Sequence, residues 1–533
     1  MKTWTGDTVL TALVPGVFWF LPLIWAAVYL LPPVNFDSSL ILAVSQRWLD
    51  GERLYVDLID VNPPLIFVLN LIPAALAKFT GIGAPAALVL SILAFIAVCF
   101  GLSLKLMPYV LGAADRVTWM ILPPLLLYAM VIFPGDMFSQ REHLMMVPLF
   151  PYVLLAAARA TGSPVPRGRT LVIAVLAAIG FGLKPYFLAI PALIELFVLA
   201  KRGRKALRDP VPWLMFALFA AYPIATWIWL PQYFTSVVPL VMSAYESIGG
   251  ATLMAILLGN QLAPALLVIV PVGIGAFVGR QSTLIRMLVL ASVGAALSGL
   301  IQGKGWPYHL LPAQTLSLVL LGLTVAAALD RMAAHHDRGA AAAPPGAMPR
   351  VIVGLLLLSF VSLTGYIRST FYDQWGWKDS AAAQLLDVVK PYAEGRSILI
   401  LSPGVYPHFP MLLYAHAKLA LRFQTIWPLQ GAYNGCARSD PRYHAVNDMT
   451  TSERALVHAV LEDFVKYKPP VVIVDKIAGI DYCGGKDFDL LEYFLRWPAF
   501  ASEMEHYDLL TQYDRYIIFK RRPDDAPAPS ADQ

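Results

Sequence analysis

Residues able to do acid–base chemistry are concentrated in one short stretch of an otherwise apolar sequence. The stretch from Asn35 to Pro64 lies between two long hydrophobic segments and carries five carboxylates: Asp37, Asp50, Glu52, Asp57 and Asp60. A charge held at the rim of a bilayer is costly unless it is solvated, paired or used. The stretch is therefore either an ordinary solvated loop or an acidic surface that takes part in chemistry.

Three further polar clusters lie at the ends of apolar segments. Their charged or titratable members are Arg141, Glu142 and His143 in the first, Lys184 in the second, and Lys304 and His309 in the third. Counting membrane crossings from the basic loop 201–208 places all three clusters, together with the acidic stretch, at one rim of the membrane. Carboxylates beside lysines and an arginine at one depth suit an anionic phosphate and a group that needs deprotonation. No zinc, P-loop, G-x-S-x-G or dinucleotide-binding pattern occurs in a fitting context.

Each cluster also has a purely structural interpretation. Lys184 could simply extend its amine to the membrane interface. Arg141 and Glu142 could form an ordinary ion pair, and His309 next to Tyr308 could be interfacial aromatic packing. The shared depth of the clusters favours chemistry over three unrelated structural roles.

The composition identifies the elements that must position these residues. The 533 residues are 58% hydrophobic and only 14% charged, and the mean hydropathy is +0.62. These values are typical of a polytopic membrane protein and exclude a soluble globular protein of this size. The net charge of +5 is small, and basic cytoplasmic loops account for it better than nucleic-acid binding does.

Apolar runs of spanning length recur along the chain. They lie near 9–32, 64–80, 86–107, 117–133, 143–160, 170–185, 187–200, 211–230, 252–279, 284–301, 310–328 and 350–367. The basic loop 201–208 is placed in the cytoplasm by the positive-inside rule. Counting from it puts the loop 231–251 and everything after 368 outside, with about eleven full crossings. One segment between 64 and 133 must then be re-entrant, and 64–80, which contains Pro73, is the candidate.

The acidic stretch itself contains a helical pattern. Ile41, Val44 and Trp48 fall on one helical face, which predicts a short helix lying flat in the interface. Gly51 ends it, and the chain from Tyr55 to Pro64 is expected to be extended.

The composition changes after residue 368. Apolar runs at 397–402, 471–475 and 514–520 predict strands, and the patterns at 452–467 and 492–497 predict helices. The sequence thus predicts a transmembrane domain at 1–367, with its first outside loop at 33–63. It also predicts a small α/β domain at 368–522 and a disordered tail at 523–533. Cys436 and Cys483 both fall in this α/β domain, and we expect a disulfide if it is extracytoplasmic.

The acidic stretch resembles the large GT-C membrane glycosyltransferases, which include the protein O-mannosyltransferases and the lipid A aminoarabinose transferases. The matching residues are Asp37, Gly51, Tyr55, Asp57, Asp60, Asn62, Pro63, Pro64 and Leu65. The later Lys184-Pro and Lys304…His309 elements are similar to those of bacterial members. Family members usually carry Asp-Glu at the first position, where this chain has Asp37-Ser38. The aminoarabinose enzyme has a charged pair before Pro-Pro, where this chain has Val61-Asn62.

The resemblance implies a polytopic α-helical GT-C fold with a periplasmic α/β domain, in the inner membrane of a bacterium. It implies an enzyme that transfers a sugar, with inversion, from a polyprenyl-phosphate donor to an envelope lipid, glycan or protein. Donor, acceptor and membrane lipids are then the expected partners. The resemblance implies no definite cofactor, although a divalent cation such as Mg²⁺ or Mn²⁺ could be held.

Roles follow for the residues already named. Asp37 is the expected base for the acceptor hydroxyl. The expected phosphate-binding residues are Lys184, Arg141, Lys304 and His309. The residues expected to orient the sugar or acceptor, or to hold a metal, are Asp57, Asp60, Glu142, His143 and Tyr55.

Two other functions fit the same sequence. One is a flippase or transporter of lipid-linked sugars, which would need charges near mid-span, whereas here they cluster at span ends. The other is a non-catalytic envelope assembly protein whose loops only bind partners.

Overall fold

The computed structural model describes residues 19–245, 248–258, 262–278, 282–336, 373–480 and 483–523. The span predicted near 350–367 lies outside these residues, as do the first half of the span predicted at 9–32 and nearly all of the tail at 523–533.

Helices form most of the described chain up to residue 336. In chain order they are α1 (Trp19–Val28), α2 (Phe36–Leu49), α3 (Pro64–Thr80), α4 (Ala84–Leu106), α5 (Arg116–Val131), α6 (Arg141–Thr161), α7 (Arg167–Gly182), α8 (Ala189–Arg202), α9 (Pro210–Trp229), α10 (Tyr233–Tyr245), α11 (Leu253–Leu258), α12 (Leu262–Val278), α13 (Thr283–Ile301) and α14 (Leu311–His336). Short 3₁₀ turns lie between them at Met107–Tyr109, Gly135–Met137, Pro185–Leu188, Gly203–Arg208 and Pro307–Leu310.

Five helices of the described chain are long and apolar enough to cross a membrane: Ala84–Tyr109, Arg141–Thr161, Pro210–Trp229, Thr283–Ile301 and Pro307–Arg331. The helical, membrane-type architecture predicted from composition is therefore confirmed. The number of crossings stays a prediction. Residues 233–245, treated as loop in the crossing count, instead form the apolar helix α10.

The chain divides into two compact units, each built from three segments. The helical unit consists of Met1–Pro32, Val89–Ile224 and Ala251–Trp375. The mixed unit consists of Pro33–Leu88, Ala225–Gly250 and Gly376–Gln533.

Within the helical unit, α13 packs against α6, α8 and α14, and α14 also packs against α5 and α12. Small residues allow the close approaches, as is usual between helices in membranes. A Cβ on Gly294 of α13 would lie 2.8 Å from Cα of Ile190 in α8. At one end of α5, the carboxylate of Asp330 accepts hydrogen bonds from the backbone N–H groups of Val117 (2.7 Å) and Thr118 (3.1 Å).

The mixed unit contains a five-stranded sheet. Its strands are β1 (Ser397–Leu401), β2 (Lys418–Leu419), β3 (Val471–Asp475), β4 (Tyr507–Tyr513) and β5 (Tyr516–Arg521). The spatial order is β2-β1-β3-β5-β4. Strand β1 runs parallel to β2 and β3, whereas β5 is antiparallel to β3 and β4.

Helices accompany this sheet in the same unit: α15 (Ala381–Ala393), α16 (His408–Tyr414), α17 (Trp427–Ala432), α18 (Thr451–Tyr467), α19 (Leu490–Leu495) and α20 (Pro498–Met504). The strands and helices predicted from the apolar runs after residue 368 are present. The small α/β fold is therefore confirmed, with two further strands, β2 and β4, at its edges. A disulfide joins Cys436 to Cys483, with their Cα atoms 5.5 Å apart.

The acidic stretch belongs to this mixed unit. Asn35 caps α2 by accepting from the N–H of Ser38 at 3.2 Å, and Gly51, at φ +104°, follows the helix. The predicted helix is confirmed, and Ile41 and Val44 are buried on its inner face. After it, the N–H of Ile59 donates to the backbone oxygen of Arg422 at 2.7 Å.

The expectation of an extended chain from Tyr55 is wrong at its start. Residues 55–57 form a turn, and Tyr55 has a φ of +66°. The turn is held by Asp57, whose carboxylate accepts from both the backbone N–H and the guanidinium of Arg53 at 2.9 Å.

Candidate active site

Lys184 lies at the end of α7 because of the residue that follows it. Pro185 disfavours a helical conformation at the preceding position, and Lys184 is accordingly extended, with φ −145° and ψ 137°. The helix ends at Gly182 and a 3₁₀ turn begins at Pro185. The Lys184 side chain is buried as a result, with 7% of its surface exposed.

Glu142 is the buried counter-ion of Lys184. The ammonium nitrogen donates to Oε1 of Glu142 at 2.5 Å and to Oε1 of Gln302 at 3.0 Å. Glu142 occupies the first turn of α6, where the positive end of the helix dipole favours a carboxylate. Its other oxygen, Oε2, is buried and has no hydrogen-bond partner among the described residues. That oxygen can still accept a hydrogen bond from a ligand hydroxyl.

Three other predicted phosphate-binding residues, Arg141, His309 and Lys304, interact electrostatically with members of this cluster. The charges of Arg141 and His309 act on Glu142, and the charges of Arg141, Lys184 and Lys304 act on His309. His309 lies in the 3₁₀ turn Pro307–Leu310, and its Nδ1 is buried without a hydrogen-bond partner among the described residues. The helical unit therefore contains all four residues that the sequence selected for phosphate binding, with electrostatic interactions among them.

Two contacts of the cluster were not foreseen from the sequence. Gln302 ends α13 and accepts from Lys184, and the Tyr308 ring centroid lies 5.3 Å from the lysine nitrogen. Both residues belong to the same loop as Lys304, which lies between Gly303 (φ +62°) and Gly305 (φ +66°). Their position in that loop was the signal available from the sequence.

His143 does not fit the ligand role expected for it. Its Nδ1 accepts from the N–H of Ser139 at 3.1 Å, and its Nε2 donates to the backbone oxygen of Met130 at 2.8 Å. Because both ring nitrogens bind backbone, the ring fixes the turn before α6 and has no nitrogen left for a metal or phosphate.

Asp37 and the other acidic-stretch residues lie in the mixed unit. Asp37 is in the first turn of α2 and is half-buried. A carboxylate at this position interacts favourably with the helix dipole.

Tyr55, Asp57, Asp60 and Asn62, which match the GT-C pattern, form local hydrogen bonds within the acidic stretch. The hydroxyl of Tyr55 donates to the backbone oxygen of Asn62 at 2.6 Å. Asp60 accepts from the backbone N–H and from the side-chain amide of Asn62, both at 2.8 Å. The side-chain hydrogen bond from Arg53 lowers the pKa of Asp57 to about 2. These contacts fix the turn that leads into α3.

The side chains that could ligate a metal ion are dispersed in the described part of the chain. Among the described residues, no three His, Cys, Asp or Glu side chains lie close enough to hold a metal ion. Of the carboxylates expected to serve, Asp57 binds Arg53, Asp60 binds Asn62 and Glu142 binds Lys184.

The cluster of the helical unit has a definite chemical capability. Its cations, Lys184, Arg141 and Lys304, outnumber its one carboxylate. Lys184 is buried and the other two are half-buried, and a fixed charge interacts more strongly there than in water. Such a group can stabilise a phosphate oxygen on which negative charge develops.

The fold resembles that of known structures at low overall sequence identity. No family model matches the chain, and neither does any curated protein. The crystal structure of ArnT from Cupriavidus metallidurans bound to undecaprenyl phosphate is similar, with a TM-score of 0.56 and 12% sequence identity. The apo structure of the same protein gives a TM-score of 0.57 at 12% identity. Each match covers 98% of this chain and 100% of the ArnT chain. The chain thus shares its fold with ArnT.

Proposed function

We propose that the chain is an inverting glycosyltransferase of a bacterial inner membrane. It transfers a sugar from a polyprenyl-phosphate donor to an envelope lipid, glycan or protein on the periplasmic face. The observation that carries this proposal is the buried pair of Lys184 and Glu142, with buried His309 and half-buried Arg141 and Lys304 nearby. The solved ArnT structure that shares the fold was determined with undecaprenyl phosphate.

The cluster suits the leaving group of this reaction. A polyprenyl phosphate carries negative charge before transfer and gains more as the sugar departs. Lys184 and Arg141 supply fixed positive charge for that oxygen, and Lys304 and His309 extend the binding surface. Glu142 holds the lysine side chain in place, and its Oε2 accepts from a hydroxyl of the bound donor.

Asp37 is proposed as the general base. It takes the proton of the acceptor hydroxyl while the acceptor oxygen forms a bond to the anomeric carbon. The bond between that carbon and the phosphate oxygen breaks, and its electron pair stays on the phosphate. Attack from the opposite face inverts the anomeric configuration, and Asp37 then releases its proton to water.

The polyprenyl tail and the acceptor are bound by other parts of the chain. The membrane helices supply the apolar surface for the tail, and the α/β fold after residue 368 contributes to acceptor choice. The carboxylates expected to hold a divalent cation have protein partners.

A transfer assay separates this proposal from the two other functions. The purified protein is reconstituted in vesicles with a radiolabelled polyprenyl-phosphate sugar and a membrane extract as acceptor. The Asp37→Asn variant is compared with Asp508→Asn, which changes an exposed carboxylate on β4. An enzyme loses product only in Asp37→Asn, a transporter shows sugar flux without product, and an assembly protein shows neither.

A further inference from the structure

A second charged cavity lies in the helical unit, at the other end of α7 from Lys184. It has a volume of about 680 Å³, within the range of small-molecule pockets. Its charged lining residues are Arg159, Arg167, Arg202, Lys205, Arg208 and Asp209. Since α7 begins at Arg167 and has 16 residues, its rise of about 24 Å separates this cavity from the Lys184 cluster.

The floor of the cavity is already neutralised. Arg159 donates to Glu195 and to Asp209, each at 2.7 Å, and Arg202 lies 3.5 Å from Asp209. The hydroxyl of Tyr152 donates to Glu195 at 2.7 Å and completes this network. These charges therefore build the cavity rather than attract a ligand.

The rim, in contrast, carries cations without carboxylates. Arg167, Lys205 and Arg208 are exposed, and none of them forms an ion pair with another described residue. Arg167 also opens α7, whose N-cap residue, Pro166, provides no side-chain hydrogen bond. The free N–H groups of this first turn add to the attraction for an anion.

Apolar side chains adjoin the cationic rim. Leu207 lies between Lys205 and Arg208 in the chain and is 53% exposed. Trp213, at the start of α9, is 57% exposed, and its indole N–H donates to the backbone oxygen of Leu207 at 2.8 Å. An exposed tryptophan at the end of a span is typical of the membrane–water interface. The surface therefore offers cations for a phosphate and apolar side chains for acyl chains.

We propose that this cavity binds the headgroup of an anionic membrane lipid through its phosphodiester groups. Basic pockets between membrane helices bind such headgroups. Several unpaired cations favour a lipid with two phosphodiesters over one with a single phosphodiester. This site is separate from the proposed transfer reaction, and its test does not depend on activity.

The experiment measures lipid binding to the full chain purified in a neutral detergent. Fluorescent cardiolipin is titrated against wild type, Lys205→Gln/Arg208→Gln and Lys201→Gln/Arg204→Gln. The second double variant removes the same charge from the same loop, but its residues do not line the cavity. Unlabelled phosphatidylcholine and inorganic pyrophosphate serve as competitors.

We expect Lys205→Gln/Arg208→Gln to weaken cardiolipin binding about 30-fold, since each cation near a lipid surface contributes about fivefold. Lys201→Gln/Arg204→Gln should stay within about twofold to threefold of wild type. Equal losses in the two double variants would show diffuse surface charge and overturn the proposal. Displacement of cardiolipin by pyrophosphate at similar concentration would identify a soluble phosphate as the ligand and would overturn it too.

Arg167→Gln provides an independent variant on a different element. It should weaken cardiolipin binding about fivefold while the elution volume of the protein stays that of wild type. Wild-type affinity in this variant would contradict a site at the start of α7.

Discussion

At the residue scale, the helical unit holds two buried charge networks at opposite ends of α6. One joins Arg159 to Glu195 and Asp209 and leaves no carboxylate oxygen of the network orphaned. The other joins Glu142 to Lys184 and leaves Oε2 of Glu142 without a hydrogen-bond partner among the described residues. A buried polar atom without a partner is costly, so the second network has the character of a binding site.

The ion pair of Glu142 and Lys184 gives a testable difference between these networks. Replacing Glu142 by Gln leaves a buried lysine without its counter-charge, which costs about 3–5 kcal/mol for a buried pair. A bound phosphate supplies the missing negative charge. We therefore expect Glu142→Gln to lower Tm, and undecaprenyl phosphate to raise the Tm of this variant more than that of wild type.

The control is Glu195→Gln, which breaks the pair with Arg159 at the far end of α6. It should also lower Tm, but the lipid phosphate should not restore it beyond the gain seen in wild type. Equal recovery of the two variants would contradict a phosphate site at Lys184.

The sequence identified the charged members of the cluster because each lies at the end of an apolar segment. It did not reveal that Gln302 and Tyr308 contact Lys184, since their side-chain directions depend on how α13 packs. It also assigned His143 a ligand role. The hydrogen bonds that His143 donates to Met130 and accepts from Ser139 depend on a turn that no sequence pattern specifies.

At the element scale, the ends of helices position the residues of the Lys184 cluster. Gly299, on α13, touches the turn that carries His309, because a Cβ there would lie 2.7 Å from the backbone oxygen of His309. A contact this short with backbone cannot be relieved by a side-chain movement.

Gly299→Ala should therefore displace His309 and lower turnover, with a loss of stability of about 1–3 kcal/mol from overpacking. The control is Gly101→Ala in α4, where an added Cβ would meet nothing within 4 Å. This variant should keep wild-type activity and Tm. Wild-type turnover in Gly299→Ala would show that the turn has no part in the reaction.

The disulfide between Cys436 and Cys483 closes a separation of 47 residues in the mixed unit. In the chain-entropy model, such a loop contributes about 3–4 kcal/mol. We expect Cys436→Ala/Cys483→Ala to unfold at lower urea concentration than wild type when tryptophan fluorescence is followed. Reductant should lower the midpoint of wild type and leave the double variant unchanged; a midpoint insensitive to both treatments would contradict the prediction.

The elements that the sequence predicted correctly have strong local patterns. Strands β1 and β3 are continuous apolar runs that are buried along most of their length. Strand β2 has only two residues, and β4 mixes exposed polar positions with apolar ones. Both lie at the edges of the sheet, so their pairing depends on neighbours distant in sequence. Helix α10 was missed because Pro239 interrupts its apolar run.

At the scale of the whole molecule, the chain forms two units that are not simple halves of the sequence. Residues 33–88 belong to the same unit as the sheet. Within that unit, the ammonium of Lys418 donates a hydrogen bond to the carboxylate of Asp50 at 3.1 Å. The sequence placed the boundary at residue 367, where the composition changes. Composition could not show that an early loop packs with a late domain.

The orientation in the membrane is the whole-molecule prediction from the positive-inside rule. Alkaline phosphatase fused after Asp525 should be active, because the region after residue 368 is expected in the periplasm. Green fluorescent protein fused after Arg204, in the basic loop, should fluoresce. A silent phosphatase with a bright fluorescent protein at Asp525 would reverse the orientation.

The central claim is that Lys184 holds a lipid phosphate and Asp37 performs the proton transfer. The most direct measurement is undecaprenyl phosphate binding and sugar transfer on the same preparations of wild type, Asp37→Asn, Lys184→Ala and Lys184→Arg. We expect Asp37→Asn to bind like wild type and to transfer roughly 10²–10⁴-fold more slowly. Lys184→Ala should bind undecaprenyl phosphate about 10- to 100-fold more weakly, since a hydrogen bond to a charged group is lost. Lys184→Arg should recover only part of the lost affinity. Wild-type lipid binding in Lys184→Ala, or undiminished transfer in Asp37→Asn, would contradict the account.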